Sequence, residues 1–278
     1  MENYREKIAK AKRIVVKIGT STLTYETGRI NLKKLDGIAL MLTDLVNRGK
    51  EIVLVTSGAI GVGAARMLLE ERPEELMERQ AAAAVGQCEL MNMYSTFFSK
   101  HGRTVGQMLL TKEIIRNEEM KRNALNTLEL LTRKGIIPII NENDTISTDE
   151  LMDVRKVGSK VSSKVSFGDN DTLSAIVAVI CRADLLIILT DRDGLYDSEP
   201  DENPDAKLIP IVRSINGSIE NSAGGNGSKF GTGGFITKIK AAKIVMDSGI
   251  DMVIANGDDP MVIDDILAGR DVGTLFTS

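Results

Sequence analysis

Near the C-terminus, Gly231-Thr232-Gly233-Gly234-Phe235-Ile236-Thr237-Lys238 is a glycine-rich loop that delivers a lysine where a helix begins. Glycines let backbone N–H groups approach an anion closely, and a helix N-terminus adds partial positive charge, so the segment suits a phosphate. It is not a Walker A motif. No glycine directly precedes Lys238, Ile239 follows it in place of Ser or Thr, and a polar run over 224–229 stands where a buried strand would be expected. Alone, the loop reads more readily as a flexible surface turn than as a nucleotide site. A second lysine, Lys17, closes the apolar run Ile14-Val15-Val16 and is followed by Gly19, Thr20 and Ser21. Lysines in strands often mark a sheet edge, but this apolar flank argues against an edge. A lysine facing phosphate oxygens beside the backbone amides of Gly19 and Thr20 accounts better for the pattern.

Phe167-Gly168-Asp169-Asn170-Asp171-Thr172 opens a further helix, in which Asp169 reads as an N-cap. Two ammonium groups in one cleft repel, and Asp171 placed between Lys17 and Lys238 would hold both. The rival reading of Asp169 or Asp171 is Mg²⁺ binding through water, since Mg²⁺ takes one or two protein carboxylates plus phosphates. The single histidine, His101, lies between Lys100 and Gly102 in an expected surface loop, which leaves a Ser-His-Asp or His-metal mechanism almost nothing to work with. Phosphoryl transfer to a carboxylate requires no general base, because a carboxyl of pKa about 4.3 is already ionised at neutral pH. Catalysis then rests on positioning and on cations that neutralise phosphoryl charge.

These residues need a frame. Ile14-Val15-Val16, Ile52-Val53-Leu54-Val55, residues 136–140, residues 185–189 and Met252-Val253-Ile254 read as buried strands. Between the first two, Leu32, Leu35, Ile38, Ala39, Leu42, Leu45 and Val46 recur at helical spacing, with Gly49 as a C-terminal stop. Ala124, Leu128, Leu131 and Gly135 repeat the pattern. The alternation predicts an α/β fold with a mainly parallel central sheet sandwiched by helices. Ligands bind beyond the carboxyl ends of such strands. Four polar or glycine-bearing loops fall there: Lys17 to Ser21, Thr56-Ser57-Gly58-Ala59-Ile60-Gly61, Asn141-Glu142-Asn143-Asp144-Thr145, and Thr190-Asp191-Arg192-Asp193-Gly194. The first lacks Gly-x-Gly-x-x-Gly spacing, which speaks against a dehydrogenase. Residues 159–166, rich in Lys and Ser, read as a mobile loop or linker.

Composition excludes more than it assigns. The 278 residues are 42% hydrophobic and 27% charged with a net charge of −4, which argues against a nucleic-acid partner. Cys88 and Cys181 are too few for a disulfide framework, and Cys181 ends an apolar run that suggests a buried thiol. The charged N-terminus lacks the apolar core of a secretion signal, and no apolar run reaches the roughly 18 residues of a membrane span. A cytoplasmic protein is expected.

The segments Val15 to Ser21, Val55 to Ile60 and Ala82-Ala83-Ala84-Val85-Gly86-Gln87 resemble the amino acid kinase family. Residues 139–144, Gly168-Asp169-Asn170-Asp171, Leu189-Thr190-Asp191 and Gly231-Thr232-Gly233-Gly234 resemble, within it, the glutamate 5-kinases. The resemblance runs in order from about residue 13 to the end. It implies phosphorylation of the side-chain carboxylate of L-glutamate with MgATP to L-glutamyl 5-phosphate, the first step of proline biosynthesis. It implies a single kinase domain over 1–278, with a glutamate lobe over about 1–166 and a nucleotide lobe over about 167–278. Lys17 and Lys238 would contact the transferring phosphoryl group and ATP phosphates, organised by Asp171, with Gly19 adding a backbone donor. Ser57, Gly58, Asp144 and Asn170 would hold glutamate, Asp144 meeting its α-ammonium. Thr190, Asp191, Thr232, Gly233, Gly234, Phe235, Ile236, Thr237 and Lys238 would line the nucleotide site. No dedicated metal site is implied, as Mg²⁺ travels with ATP. A homo-oligomer (dimer or tetramer), proline as feedback inhibitor and functional pairing with glutamyl phosphate reductase are also implied. Two departures are expected: the additional C-terminal domain of RNA-modification type is missing, and the stretch between Asp144 and Gly168 is longer than in short bacterial forms.

Overall fold

The computed structural model describes residues 4–25, 29–71, 73–146, 169–217, 219 and 234–278. The Lys/Ser stretch, the boundary at 166/167, and Gly231, Thr232 and Gly233 lie outside the described residues.

The chain opens with α1 (Tyr4–Ala9) and enters β1 (Arg13–Ile18), followed by α2 (Thr20–Leu23) and α3 (Leu32–Asn47). β2 (Glu51–Val55), α4 (Ala59–Arg66) and α5 (Leu76–Lys100) lead to β3 (Val105–Leu110), α6 (Glu118–Arg133) and β4 (Ile137–Glu142). The remainder runs through α7 (Asn170–Ile180), β5 (Leu185–Thr190), β6 (Ile211–Val212), α8 (Phe235–Asp247), β7 (Asp251–Asn256), α9 (Val262–Leu267) and β8 (Thr274–Phe276). One eight-stranded sheet has the order β3-β4-β2-β1-β5-β7-β8-β6, with antiparallel pairing only between β7 and β8. The expected α/β architecture is present. β1 is an interior strand, with Lys17 opposite Val55 on one side and Ile188 on the other.

Strand parity then decides where Lys17 points. Side chains alternate across a strand, so Ile14, Val16 and Ile18 share one face while Val15 and Lys17 share the other. The first set packs with Leu35 and Ile38 of α3, Leu90 and Tyr94 of α5 and Ile266 of α9. Val15 packs into the opposite core with Leu173 and Val177 of α7 and Ala241 and Val245 of α8. Lys17 therefore projects toward the face built by α7 and α8. Each fully buried Leu, Ile or Val in these two layers contributes about 1.5–3 kcal/mol, which fixes both helices on the sheet.

α4 and α5 cross backbone to backbone. A Cβ on Gly63 would stand 1.7 Å from the carbonyl oxygen of Ala82, and one on Gly86 would stand 1.8 Å from that of Ala59. No rotamer relieves a clash with a carbonyl. Gly86→Ala is expected to cost about 3 kcal/mol of stability by forcing the helices apart. Urea denaturation measures this, and a loss below about 0.5 kcal/mol would mean the crossing opens freely.

Candidate active site

Asp171 is the hub. Asp169 caps α7 by accepting from the N–H of Asp171 at 2.9 Å and from the hydroxyl of Thr172 at 3.0 Å, which fixes the first turn of that helix. Lys17 Nζ approaches Asp171 Oδ1 at 2.6 Å, close enough for an ion pair but not along a hydrogen-bond direction. Lys238, in the first turn of α8, donates from Nζ to Oδ2 at 3.1 Å, and Thr237 Oγ1 donates to the same oxygen at 2.8 Å. Lys17, Lys238 and Asp171 are 7%, 6% and 1% exposed, so two ammonium groups meet one carboxylate in a buried clamp. Burial alone would raise the Asp171 carboxyl; the two ammonium groups and the Thr237 hydroxyl outweigh it and hold the carboxyl well below the usual range. The Asp169 carboxyl moves the other way, pushed up by burial and then by the charge of Asp171. Two ammonium groups brought together in this way suit an incoming anion.

Gly19, the N-cap of α2, lies over the clamp: a Cβ there would be 3.4 Å from Lys17 Nζ. Thr190 ends β5, with Oγ1 donating to Asp191 Oδ1 at 3.0 Å and its carbonyl accepting from Gly257 N at 2.8 Å. Gly234 caps α8, the ring of Phe235 lies 5.8 Å from Lys238 Nζ, and Ile236 is exposed.

A second polar cluster is built beyond β2 and β4. Ser57 Oγ donates to the carbonyl of Ile18 at 3.2 Å and lies 3.2 Å from Thr20 Oγ1. Gly58 starts α4 with φ 97°, a left-handed conformation that favours glycine, and a Cβ there would press on Thr20 at 3.4 Å. Asn170 is the first residue of α7, and its Nδ2 donates to the carbonyl of Thr56 at 2.7 Å and to Asn141 Oδ1 at 2.9 Å. Asn141 Nδ2 donates in turn to Gln87 Oε1 at 2.8 Å. Asp144 stands half-buried in the turn after β4.

A profile of the amino acid kinase family matches residues 12–256. The chain belongs to the amino acid kinase family. Among curated members, it is 50% identical to the glutamate 5-kinase of Clostridium perfringens over 274 residues, covering 99% of this chain and 98% of that protein. Identity to the glutamate 5-kinase of Listeria innocua is 49% over 274 residues, 99% of this chain and 96% of that protein. The fold is also that of the crystal structure of UMP kinase from Bacillus anthracis, at a TM-score of 0.61 and 18% identity over 96% of both chains.

In this amino acid kinase the structure thus gathers Lys17, Lys238, Asp171 and Thr237 into one cluster, and Asn170 with Thr56 and Asn141 into another. Sequence reasoning placed Thr56 in a rim loop and Gln87 in a family-resembling segment without giving either a role, and it passed over Tyr94. Tyr94 OH lies 2.8 Å from Thr56 Oγ1, and burial raises its phenol above the ordinary tyrosine range. The available signal was a polar Gln87 on the inner face of a helix otherwise lined there by Ala82, Ala83, Gly86 and Leu90. His101 caps α5, with Nε2 3.2 Å from Asp36 Oδ1. Cys181 is buried, as its apolar run suggests, and its thiol is pushed up to about 12. Among the described residues, no helix is long and apolar enough to cross a membrane.

Proposed function

We infer that the protein transfers the γ-phosphoryl group of ATP to the side-chain carboxylate of L-glutamate, giving L-glutamyl 5-phosphate, the first step of proline biosynthesis. The observation that carries the chemistry is the buried clamp, two lysines meeting on Asp171 at the carboxyl end of an interior strand. The near-50% identity to glutamate 5-kinases over almost the whole chain carries the choice of acceptor.

In this reading a glutamate carboxylate oxygen attacks the γ-phosphorus, the bond to the bridging oxygen breaks, and ADP leaves with that electron pair. No proton moves at the acceptor, so no general base is needed. Lys17 and Lys238 neutralise charge on the phosphoryl oxygens, and Asp171 keeps the two ammonium groups at a fixed spacing. Gly19 supplies a backbone donor. Ser57, Gly58, Asp144 and Asn170 hold the acceptor, Asp144 facing its α-ammonium. Thr190, Asp191, the glycine loop with Thr232 and Gly233, and residues Gly234 to Lys238 line the nucleotide site. The glutamate lobe over about 1–166 and nucleotide lobe over about 167–278 meet across the sheet in this reading.

Mg²⁺ would arrive on the nucleotide phosphates. Asp171 faces two ammonium groups and the Thr237 hydroxyl, and Asp169 serves the helix cap, which supports reading the metal as carried by the nucleotide. Proline inhibition, a dimer or tetramer, a glutamyl phosphate reductase that consumes the product, and a cytoplasmic location belong to the same reading and rest on the likeness to the relatives.

ADP release with a panel of acceptors, combined with hydroxylamine trapping of an acyl phosphate, tests the assignment. L-glutamate is expected to give both signals. Turnover with N-acetylglutamate or UMP but not L-glutamate would overturn the acceptor. No turnover with any acceptor would point to a binding protein on a kinase fold.

A further inference from the structure

The phosphoryl-transfer chemistry makes no use of Gln87, a buried amide on α5. Its Oε1 accepts from Asn141, while its Nε2 is enclosed and has no hydrogen-bond partner among the described residues. An orphaned amide donor is costly, and methionine would remove that cost only by leaving the buried Asn141 Nδ2 without its acceptor. The acceptor oxygen is therefore what this position requires of its side chain.

A backbone carbonyl can only accept. Thr56 thus fixes the end of the Asn170 amide that faces it as the –NH₂ end. The second hydrogen of that group goes to Asn141, which must present Oδ1, and Asn141 Nδ2 must then find an acceptor in Gln87 Oε1. Three amides are aligned in one sense, set by a carbonyl at one end and by Gln87 at the other. Both Asn170 donors are spent. Its Oδ1, on a half-buried side chain, is the one polar atom left for a ligand, and it can accept but not donate.

We propose that Gln87 is a positioning residue for acceptor selectivity: by holding Asn141 in one orientation it keeps Asn170 Oδ1 available to the α-ammonium of the acceptor. This rests on the reading of L-glutamate as acceptor. Gln87 touches no ligand and acts through Asn141. A group confined to accepting favours an ammonium and gives nothing to an acceptor that lacks one.

Glutarate, the same dicarboxylate without the ammonium, is the probe. The ratio of its inhibition constant to the KM for L-glutamate is measured in the wild type, Gln87→Met and Gln87→Glu. Gln87→Met is expected to shrink this ratio about tenfold by raising the L-glutamate KM, with the ATP KM held within about twofold. Gln87→Glu keeps an oxygen facing Asn141 and is expected to hold the ratio within about threefold of wild type. A purely structural role would weaken both ligands alike, so an unchanged ratio in Gln87→Met overturns the proposal. If Gln87→Met does not fold, Gln87→Glu still decides, because a collapsed ratio in that variant overturns it too. A wild-type protein without L-glutamate turnover would instead defeat the acceptor assignment before any variant is compared.

Discussion

Lys238→Ala is expected to lower kcat about a thousandfold while the KM for L-glutamate moves by less than about threefold. The split follows from where the ammonium sits. Lys238 sits in the first turn of α8 with its Nζ anchored to Asp171 Oδ2, while Lys17 approaches the other carboxylate oxygen and the proposed acceptor groups Ser57 and Asn170 make their hydrogen bonds to other partners. Negative charge develops on the leaving bridging oxygen as the phosphoryl group passes through its transition state, and a cation placed there acts mainly on kcat. Lys238→Arg provides the control. It restores the charge, but its planar fork cannot copy a compact ammonium in a site enclosed this tightly, so recovery is expected to be partial. Steady-state kinetics in both substrates settle the matter, and an unchanged kcat in Lys238→Ala removes this residue from the chemistry.

Asp171→Asn carries the second large effect, and here activity and stability fall together. The carboxylate is nearly inaccessible and faces two buried ammonium groups at 2.6 and 3.1 Å. With a neutral amide in its place, two like charges remain in a low-dielectric site without the carboxylate that contacts both. Breaking a buried pair in this way costs about 3–5 kcal/mol, and we expect at least 3 kcal/mol in urea denaturation. Loss of the fixed ammonium spacing is expected to take kcat down by about 10³ or more. ATP should rescue stability more in this variant than in the wild type, because its phosphates return the missing negative charge. Thermal melts with and without nucleotide check that. Equal ATP-induced shifts in the two proteins would show that the phosphates do not enter the clamp.

Much of this frame was legible in the chain. The strands later seen as β1, β2, β4, β5 and β7 are β-branched apolar runs buried on both faces, and they dominate any reading by period. β3, with the sequence Val-Gly-Gln-Met-Leu-Leu, is a half-exposed edge strand whose mixed composition hides it. β6 and β8 are two and three residues long, too short for a periodic signal. Lys17 could be placed near an anion because an interior strand rarely ends in a lysine. Its meeting with Asp171 is a long-range event, decided by strand parity and by the Asp169 cap on α7. The amide chain was not legible at all. Gln87, Asn141 and Asn170 come from three elements far apart in sequence, and only the folded sheet gives their polarity a direction.

The glycine contact between α4 and α5 bears on how this enzyme gauges its acceptor. Ser57 and Gly58 stand at the start of one helix, and Gln87 follows directly on Gly86 in the other. The spacing between Ser57 and Gly58, proposed to hold the acceptor, and the start of the amide chain at Gln87 is thus set like the jaws of a caliper closed to a hard stop, backbone against backbone. Side chains elsewhere in the core can change rotamer, whereas a carbonyl against a glycine Cα leaves no rotamer to change.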